Sequence, residues 1–260
     1  MQVAHPRDSL IQFEEVGHKY TIGDGSRAYT SVTTFLGRLF EPFDADKVIA
    51  NMMRGKKWPE SKYFGMEPAA IKAQWAAAGD EAAQLGTALH ADIEHFYKGE
   101  PFENTSREFG YFRAFAALCP LRPYRAEWKV FHEEAGIVGT IDMVFERPDG
   151  QLEIYDWKRC KKLEKHDPWN KTPLHPAVQH LPDTNFWHYA LQLNLYQFVL
   201  EAKYGVAVAA RHLVVLHPDA PGYQVAAVPD LQAEIRELLA ANSSSSTAFE
   251  SVCPPPSGGS

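Results

Sequence analysis

The chain has 260 residues, a net charge of −7 and a hydrophobic fraction of 45%. A chain of this length buries most of its unfolded surface and forms one large domain, or a core with an added lobe. No apolar run reaches the about 20 residues that a membrane-spanning helix needs, and the negative charge argues against broad, nonspecific affinity for DNA. The first residues resemble neither a secretory signal nor a transit peptide. We therefore expect a cytoplasmic or nuclear protein, with an organelle form after removal of a leader as the alternative.

The cysteines Cys119, Cys160 and Cys253 are odd in number and widely spaced. This pattern predicts neither a disulfide framework nor a zinc site, and we expect reduced structural thiols. An iron–sulfur cluster with four cysteine ligands is not expected, because the chain offers only three.

The N-terminal part of the chain predicts a hairpin followed by helices. Residues 11–36 indicate a small β-hairpin that leads into a helix near Val32, with Ser31 as its N-cap. Further helices are predicted, in chain order, at 44–54, 66–78, 79–97 and 105–118.

The rest of the chain alternates between strands and helices. Apolar patterning predicts strands at 124–132, 137–146 and 151–158, a helix at 186–203, strands at 208–216 and 222–228, and a helix at 230–241. A long loop at 163–184 is of the length that is commonly functional. We divide the chain into an N-terminal hairpin and helical lobe at 1–78, a core of the same domain at 79–241, and a disordered tail at 242–260.

The most informative pattern lies on two of these strands. A Gly-Thr-Ile-Asp segment ends at Asp142, and an Ile-Tyr-Asp-Trp-Lys segment ends at Lys158. Since side chains alternate along a strand, Asp156 and Lys158 share one face and Trp157 lies on the other. The Arg-Pro-Asp-Gly turn between the strands predicts an antiparallel hairpin, which brings Asp142 close to Asp156. Two carboxylates and an ammonium can hold a hard divalent cation and activate a water beside a phosphate.

These two segments resemble the catalytic hairpin of the PD-(D/E)XK nuclease superfamily, with Asp156 in the second acidic position. Asp-x-Lys alone is common by chance, but other segments match in the right order. A G-T-x-x-H-x-x-I-E segment contains His90 and is similar to the first motif of the RecB-like exonuclease branch. Gln192 and Tyr196 resemble the Q-x-x-x-Y motif of that branch.

The N-terminal part adds a further resemblance. An H-x-Y segment from His18 is followed by S-V-T-x-x-L from Ser31, and this opening is similar to phage exonucleases and the mitochondrial genome maintenance exonuclease. Together the resemblances imply an α/β (α+β) fold with a restriction-endonuclease-like core, in which helices flank a central mixed sheet. They also imply a metal-dependent DNA exonuclease with a part in DNA repair or recombination.

The resemblance implies a set of metal ligands. Asp142 and Asp156 are the main ligands, and the backbone carbonyl of Trp157 and the imidazole of His90 complete the set. Mg²⁺ or Mn²⁺ is expected rather than zinc, because carboxylate, carbonyl and water oxygens suit hard ions, and the nitrogen ligand favours Mn²⁺ slightly. Glu127 on the predicted strand at 124–132 is a further candidate ligand, although a surface glutamate is an equally good interpretation.

Other side chains are candidates for catalysis and for substrate binding. Lys158 orients or deprotonates the attacking water, and orientation is the safer assignment. Gln192 and Tyr196 are expected to hydrogen-bond the scissile phosphate or to support the lysine, with a core position as the alternative for Tyr196. The candidates for binding the nucleic-acid backbone, each with helix capping or a solvated surface as its alternative, are Ser31, Arg159, Lys161 and Lys162.

Several functions remain open from the sequence. The favoured hypothesis is an exonuclease on DNA ends or single-stranded DNA. The alternatives are a structure-specific endonuclease, a nucleic-acid-binding module without catalysis, and a metal-dependent hydrolase of another substrate. RNA is also open as a substrate, because no segment predicts recognition of a 2′-hydroxyl.

Overall fold

The computed structural model describes residues 3–14, 16–17 and 19–250, with side chains described as far as residue 241. A six-stranded mixed sheet forms the centre, helices cover both of its faces, and a separate two-stranded hairpin packs against it. The predicted α/β (α+β) class, with a central mixed sheet flanked by helices, is confirmed. No helix in the described ranges is long and apolar enough to cross a membrane.

The elements follow the predicted order. The strands are β1 (Ile11–Glu14), β2 (Lys19–Ile22), β3 (Thr30–Ser31), β4 (Arg122–His132), β5 (Ile137–Glu146), β6 (Leu152–Lys158), β7 (Val208–Val215) and β8 (Gln224–Ala227). The helices are α1 (Val32–Gly37), α2 (Ala45–Arg54), α3 (Pro68–Lys98), α4 (Arg107–Leu118), α5 (Asn185–Lys203) and α6 (Gln232–Glu250).

The prediction of two separate helices at 66–78 and 79–97 was wrong. The structure has one helix of 31 residues, α3, which ends where Gly99 takes a left-handed conformation with φ of 72°. Gly79 does not break it, because a glycine inside a helix costs only about 1 kcal/mol and strong helix formers stand on both sides. The helix runs through the boundary that we drew between lobe and core, and the domain division stays a prediction.

The last helix also extends beyond its predicted end at residue 241. It continues to Glu250, and no proline, which would remove a backbone donor, occurs between residue 241 and Pro254. The tail predicted to be disordered at 242–260 therefore overlaps helix α6 in its first part. The remainder, 251–260, lies outside the described residues, as does His18.

The sheet opens beside the centre of β5. One edge of this strand pairs with β4 from Ile137 to Glu146. The other edge pairs with β3 at Ile137 and Val138 and with β6 from Met143 onward. Residues 139–142, the Gly-Thr-Ile-Asp segment, thus have no strand partner on this edge within the described residues. Since β6 stays paired with β7 as far as Lys158, the sheet separates between β5 and β6.

The two faces of β6 belong to different cores. Leu152 and Ile154 pack with α5 and α6, whereas Tyr155 and Trp157 pack with aromatic side chains of α4 on the opposite face. Asp156 continues the row of Leu152 and Ile154, as the predicted alternation requires. The acidic side chain therefore lies on the α5 side of the sheet.

Helix α5 approaches the open segment of β5 closely. A Cβ atom added to Gly139 would lie 2.8 Å from Cε1 and 2.9 Å from the hydroxyl of Tyr196, well inside van der Waals contact. Both residues are buried, so the ring has no free space to enter. The glycine of the Gly-Thr-Ile-Asp segment is needed because the phenol of α5 occupies the place of a side chain.

This contact predicts the effect of a single methyl group. We expect Gly139→Ala to lower the free energy of unfolding by about 1–3 kcal/mol, because overpacking forces the ring or the strand to shift. Urea denaturation measures the change. The matched control is Gly79→Ala, where an added Cβ meets no atom within 4 Å and a helical alanine stabilises by up to about 1 kcal/mol. Equal stability of Gly139→Ala and the wild-type protein would contradict the packing argument.

Candidate active site

The carboxylate of Asp142 lies in the opening between β5 and β6. The ladder between these strands ends at the pair Met143 and Tyr155. Beyond it, the Trp157 backbone N–H donates a hydrogen bond of 2.9 Å to Oδ2 of Asp142 instead of to a strand carbonyl. The side chain of Asp142 therefore takes the place of the missing strand partner, and its position is fixed by the backbone of β6.

His90 of helix α3 closes the same opening from the other side. Its Nε2 lies 2.8 Å from the carbonyl oxygen of Trp157, and its Nδ1 lies 3.5 Å from Oδ2 of Asp142. Leu89 and Ile93 of the same helix are buried in the core beneath. The apolar spacing of the helix thus orients the half-buried imidazole toward the strands.

Glu127 of β4 joins these groups with an unusual backbone conformation. Its φ is +46°, a left-handed value that a glutamate rarely adopts outside turns. Burial raises the pKa of its carboxyl to about 9, and the charges of Asp142 and Glu94 add to the effect. Strained residues cluster at functional sites, and here the strain places a third carboxyl beside Asp142.

The donors fit a hard divalent cation. One ligand atom each from His90, Glu127 and Asp142 lies within 4.8 Å of the others. The 2.8 Å between His90 Nε2 and the Trp157 oxygen is close to the about 3 Å that separates neighbouring ligands of an octahedral ion at usual metal–oxygen lengths. Crowded carboxylates raise one another's pKa, so a cation here would relieve their repulsion.

Asp156, which is predicted to bind the metal together with Asp142, contacts a lysine in the structure. It is 1% exposed, and its Oδ2 lies 2.5 Å from Nζ of Lys158. Burial raises the pKa of Asp156, although the Lys158 ammonium opposes this shift. Burial disfavours the ammonium too, but Asp156 and Asp142 together hold the pKa of Lys158 above its ordinary value. The lysine is therefore a cation in this arrangement.

One face of α5 covers this ion pair. Nζ of Lys158 lies 4.4 Å above the ring of Tyr189, a cation–π contact. Burial raises the pKa of the Tyr196 phenol, and the side chain of Gln192 opposes this shift. Sequence analysis did not assign Tyr189 to the site. Its spacing of three from Gln192 and seven from Tyr196 was the available signal, because such residues share a helix face.

The candidates for nucleic-acid binding are engaged by other partners in the structure. Ser31 caps α1, where its hydroxyl accepts a hydrogen bond from the Thr34 N–H. Arg159 forms a largely buried ion pair of 2.8 Å with Glu108. Exposed ion pairs engage the remaining two, Lys161 with Asp219 at 3.0 Å and Lys162 with Glu164 at 2.8 Å. Their role in binding stays a prediction.

The mixed sheet opens over carboxylates, an imidazole and a buried lysine. This arrangement is typical of the class of metal-dependent hydrolases. Residues 105–252 match the model of the PD-(D/E)XK nuclease superfamily, which is more than half of the chain. The chain belongs to this superfamily, whose membership implies a metal-dependent nuclease. His90 precedes the matched residues, so its place in the site rests on the contacts described above.

No curated protein matches the chain. Among solved structures, the one described as "Crystal structure of SSO0001" matches with 16% identity and a TM-score of 0.32, over 86% of this chain and 85% of that chain.

The raised pKa of Glu127 predicts a pH-dependent stability of the metal-free protein. The folded state keeps this proton up to about pH 9, whereas the unfolded chain releases it near its ordinary pKa of 4.5. The folded state thus binds more protons in this range, and stability falls as the pH rises. We expect Glu127→Gln to remove most of the fall between about pH 5 and about pH 9, measured by urea denaturation with EDTA.

The control for this measurement is Glu60→Gln at an exposed residue outside the cluster. It should leave the slope of stability against pH unchanged. If Glu127→Gln has the same slope as the wild-type protein, the carboxyl of Glu127 is not held protonated by its surroundings.

Proposed function

We propose that this chain is a Mg²⁺- or Mn²⁺-dependent deoxyribonuclease of the RecB-like branch, an exonuclease on DNA ends or single-stranded DNA. One observation supports it above the others. The sheet opens between β5 and β6, and the Asp142 carboxylate, the Trp157 carbonyl and His90 meet there within hydrogen-bonding distance, next to the ion pair of Asp156 and Lys158.

The residues that would hold the metal come from four elements. Asp142 and the Trp157 carbonyl belong to the divided strands, His90 to α3 and Glu127 to β4, and Asp156 lies beside them. When bound, a divalent cation lowers the pKa of a coordinated water and neutralises charge on the phosphate. The carboxylates and the carbonyl are hard oxygen donors, which favour Mg²⁺ or Mn²⁺.

Lys158 acts in this proposal as a hydrogen-bond donor. Its raised pKa keeps the ammonium charged, and an ammonium has no lone pair with which to take a proton. It therefore orients the attacking water or a phosphate oxygen, while Asp156 and the ring of Tyr189 fix its position. Tyr196 and Gln192 supply further donors on the same side.

The preference for an exonuclease rests on the motifs. The His90 segment and the Q-x-x-x-Y pair are similar to motifs of the RecB-like branch. The opening of the chain is similar to that of phage exonucleases. The intact set of Asp142, Asp156 and Lys158 favours an active enzyme over a binding module without catalysis. A part in DNA repair or recombination stays a prediction.

The test of the proposal is cleavage of matched DNA substrates. With Mg²⁺ or Mn²⁺, we expect end-labelled linear DNA to be degraded from its ends and covalently closed circular DNA to stay intact. Lys158→Met should lower the rate by about 100-fold or more, because it removes a positioned donor at the reacting atoms. Lys203→Gln is the control, since Lys203 lies at the opposite end of α5 and pairs with Glu133.

The other outcomes separate the alternatives. Rapid nicking of circular DNA would identify an endonuclease, and cleavage of RNA alone would reassign the substrate. Full activity of Lys158→Met, or no cleavage of any substrate with either metal, would overturn the proposed function.

Metal binding has a test that does not depend on activity. We expect His90→Ala to weaken Mn²⁺ binding by about tenfold or more, because outer partners of metal ligands alone contribute 10–100-fold. Isothermal titration calorimetry measures the dissociation constant. His95→Ala is the matched control, because His95 lies further along α3 and pairs with Glu100. Equal affinity of His90→Ala and the wild-type protein would remove the imidazole from the metal centre.

A further inference from the structure

A large groove lies at the N-terminal end of α5, outside the cluster of acids. Its volume is about 1190 Å³. The walls come from the segment between α1 and α2, from α2 itself, from residues 55–61 and from the long loop before α5. A backbone hydrogen bond of 2.7 Å from Leu174 to the carbonyl of Leu39 ties two of these walls together.

Aromatic side chains are exposed in this groove. Phe43 is 74% exposed and Trp169 is 80% exposed, and Trp58 lines the same space. Large apolar side chains gain about 1.5–3 kcal/mol when they are buried, so an exposed group of them at one place indicates a binding surface. Flat rings that face a groove are suited to stack on other flat rings.

Lysines accompany the aromatic rings. The groove is lined by Lys47, Lys56, Lys57 and Lys171, and none of them makes an ion pair among the described side chains. A row of free ammonium groups beside aromatic rings fits a ligand that carries both anionic groups and flat rings.

The acidic residues of the groove are partly engaged. Asp44 caps α2 by accepting a hydrogen bond of 2.9 Å from the Lys47 N–H. Asp183 lies 2.8 Å from Nε2 of His188. Glu41 and Glu60 are the remaining carboxylates, so the groove is lined by as many acidic as basic side chains, and two of the acids already accept hydrogen bonds within the protein.

The groove adjoins the ion pair of the active site through consecutive residues of α5. His188 lines the groove and packs against Phe40, with ring centroids 3.7 Å apart and the rings tilted by 36°. The next residue, Tyr189, carries Nζ of Lys158 over its ring. Consecutive residues of α5 therefore contact the groove and Lys158.

We propose that this groove binds a single strand of nucleic acid, with bases stacked on Phe43, Trp58 and Trp169 and phosphates paired with the lysines. A single strand is required because the bases of a duplex are stacked on each other and offer no free face. The proposal rests on the proposed function for the identity of the ligand. It assigns the groove as the path along which a strand meets Lys158.

The test measures binding of a fluorescein-labelled oligothymidylate of about 12 nucleotides in EDTA, so that binding is read without turnover. We expect Trp169→Ala and Phe43→Ala each to weaken binding by about fivefold or more, because one stacked base contributes at least about 1 kcal/mol. The matched control is Leu118→Ala, since Leu118 is 73% exposed but lies at the end of α4.

The lysines have a separate readout. Log affinity falls as log salt rises, and each phosphate contact of a single strand contributes about 0.7 to the steepness of this fall. The double variant Lys56→Ala/Lys57→Ala should therefore make the slope shallower by about 1.4. The matched comparison is Lys98→Ala/Lys203→Ala, two lysines that do not line the groove and that pair with Glu94 and Glu134. Unfolding curves show whether each variant keeps its fold.

The groove assignment is overturned if the aromatic and the lysine variants bind the oligonucleotide as the wild-type protein does. A groove that accepts an apolar peptide or a second copy of this chain would give that result. Groove-dependent binding without cleavage in Mg²⁺ or Mn²⁺ would reject the proposed function and keep the groove. Cleavage by the wild-type protein that the groove variants leave unchanged, together with unchanged binding, would reject the groove alone.

Discussion

The site depends on one hydrogen bond, from the Trp157 N–H to the carboxylate of Asp142. Strands β5 and β6 pair only as far as Met143 and Tyr155, and without another acceptor the next N–H groups of β6 would remain unsatisfied in a buried sheet. Asp142 satisfies one of them with its side chain. The same bond fixes the carboxylate next to the Trp157 carbonyl, which meets His90. The same hydrogen bond therefore accompanies both the opening of the sheet and the convergence of the candidate ligands.

The surroundings of the opening are less favourable for stability than an apolar core would be. Glu127 is held with a left-handed backbone and a raised pKa, and the buried Asp156 depends on the Lys158 ammonium for compensation. Buried charges of this kind are often no more stabilising than apolar residues of the same volume. Aromatic packing surrounds them: Trp157 contacts Phe112 and Phe115 on one face of the sheet, and α5 lies on the other. The strain persists because these cores hold the strands that carry it.

Sequence patterning predicted the hairpin, the two faces of β6 and the helix around His90, because these features follow from periodicity and short-range turn chemistry. It did not predict the continuous α3, since one glycine costs too little to break a long helix. It gave no preference for Glu127 as a ligand, because a positive φ depends on tertiary packing. It offered Arg159 as a candidate for binding the nucleic-acid backbone and did not predict the ion pair with Glu108. Contacts between distant segments decide the conformation of Glu127 and the partner of Arg159.

The most direct measurement is the anomalous scattering of crystals soaked in Mn²⁺. Our account predicts one strong anomalous peak in the opening between β5 and β6, within bonding distance of the Asp142 carboxylate and the Trp157 carbonyl, with His90 among its ligands. A peak elsewhere, or a soaked crystal in which these groups keep only their direct hydrogen bonds and hold no ion, would contradict the claim that this opening is a metal centre.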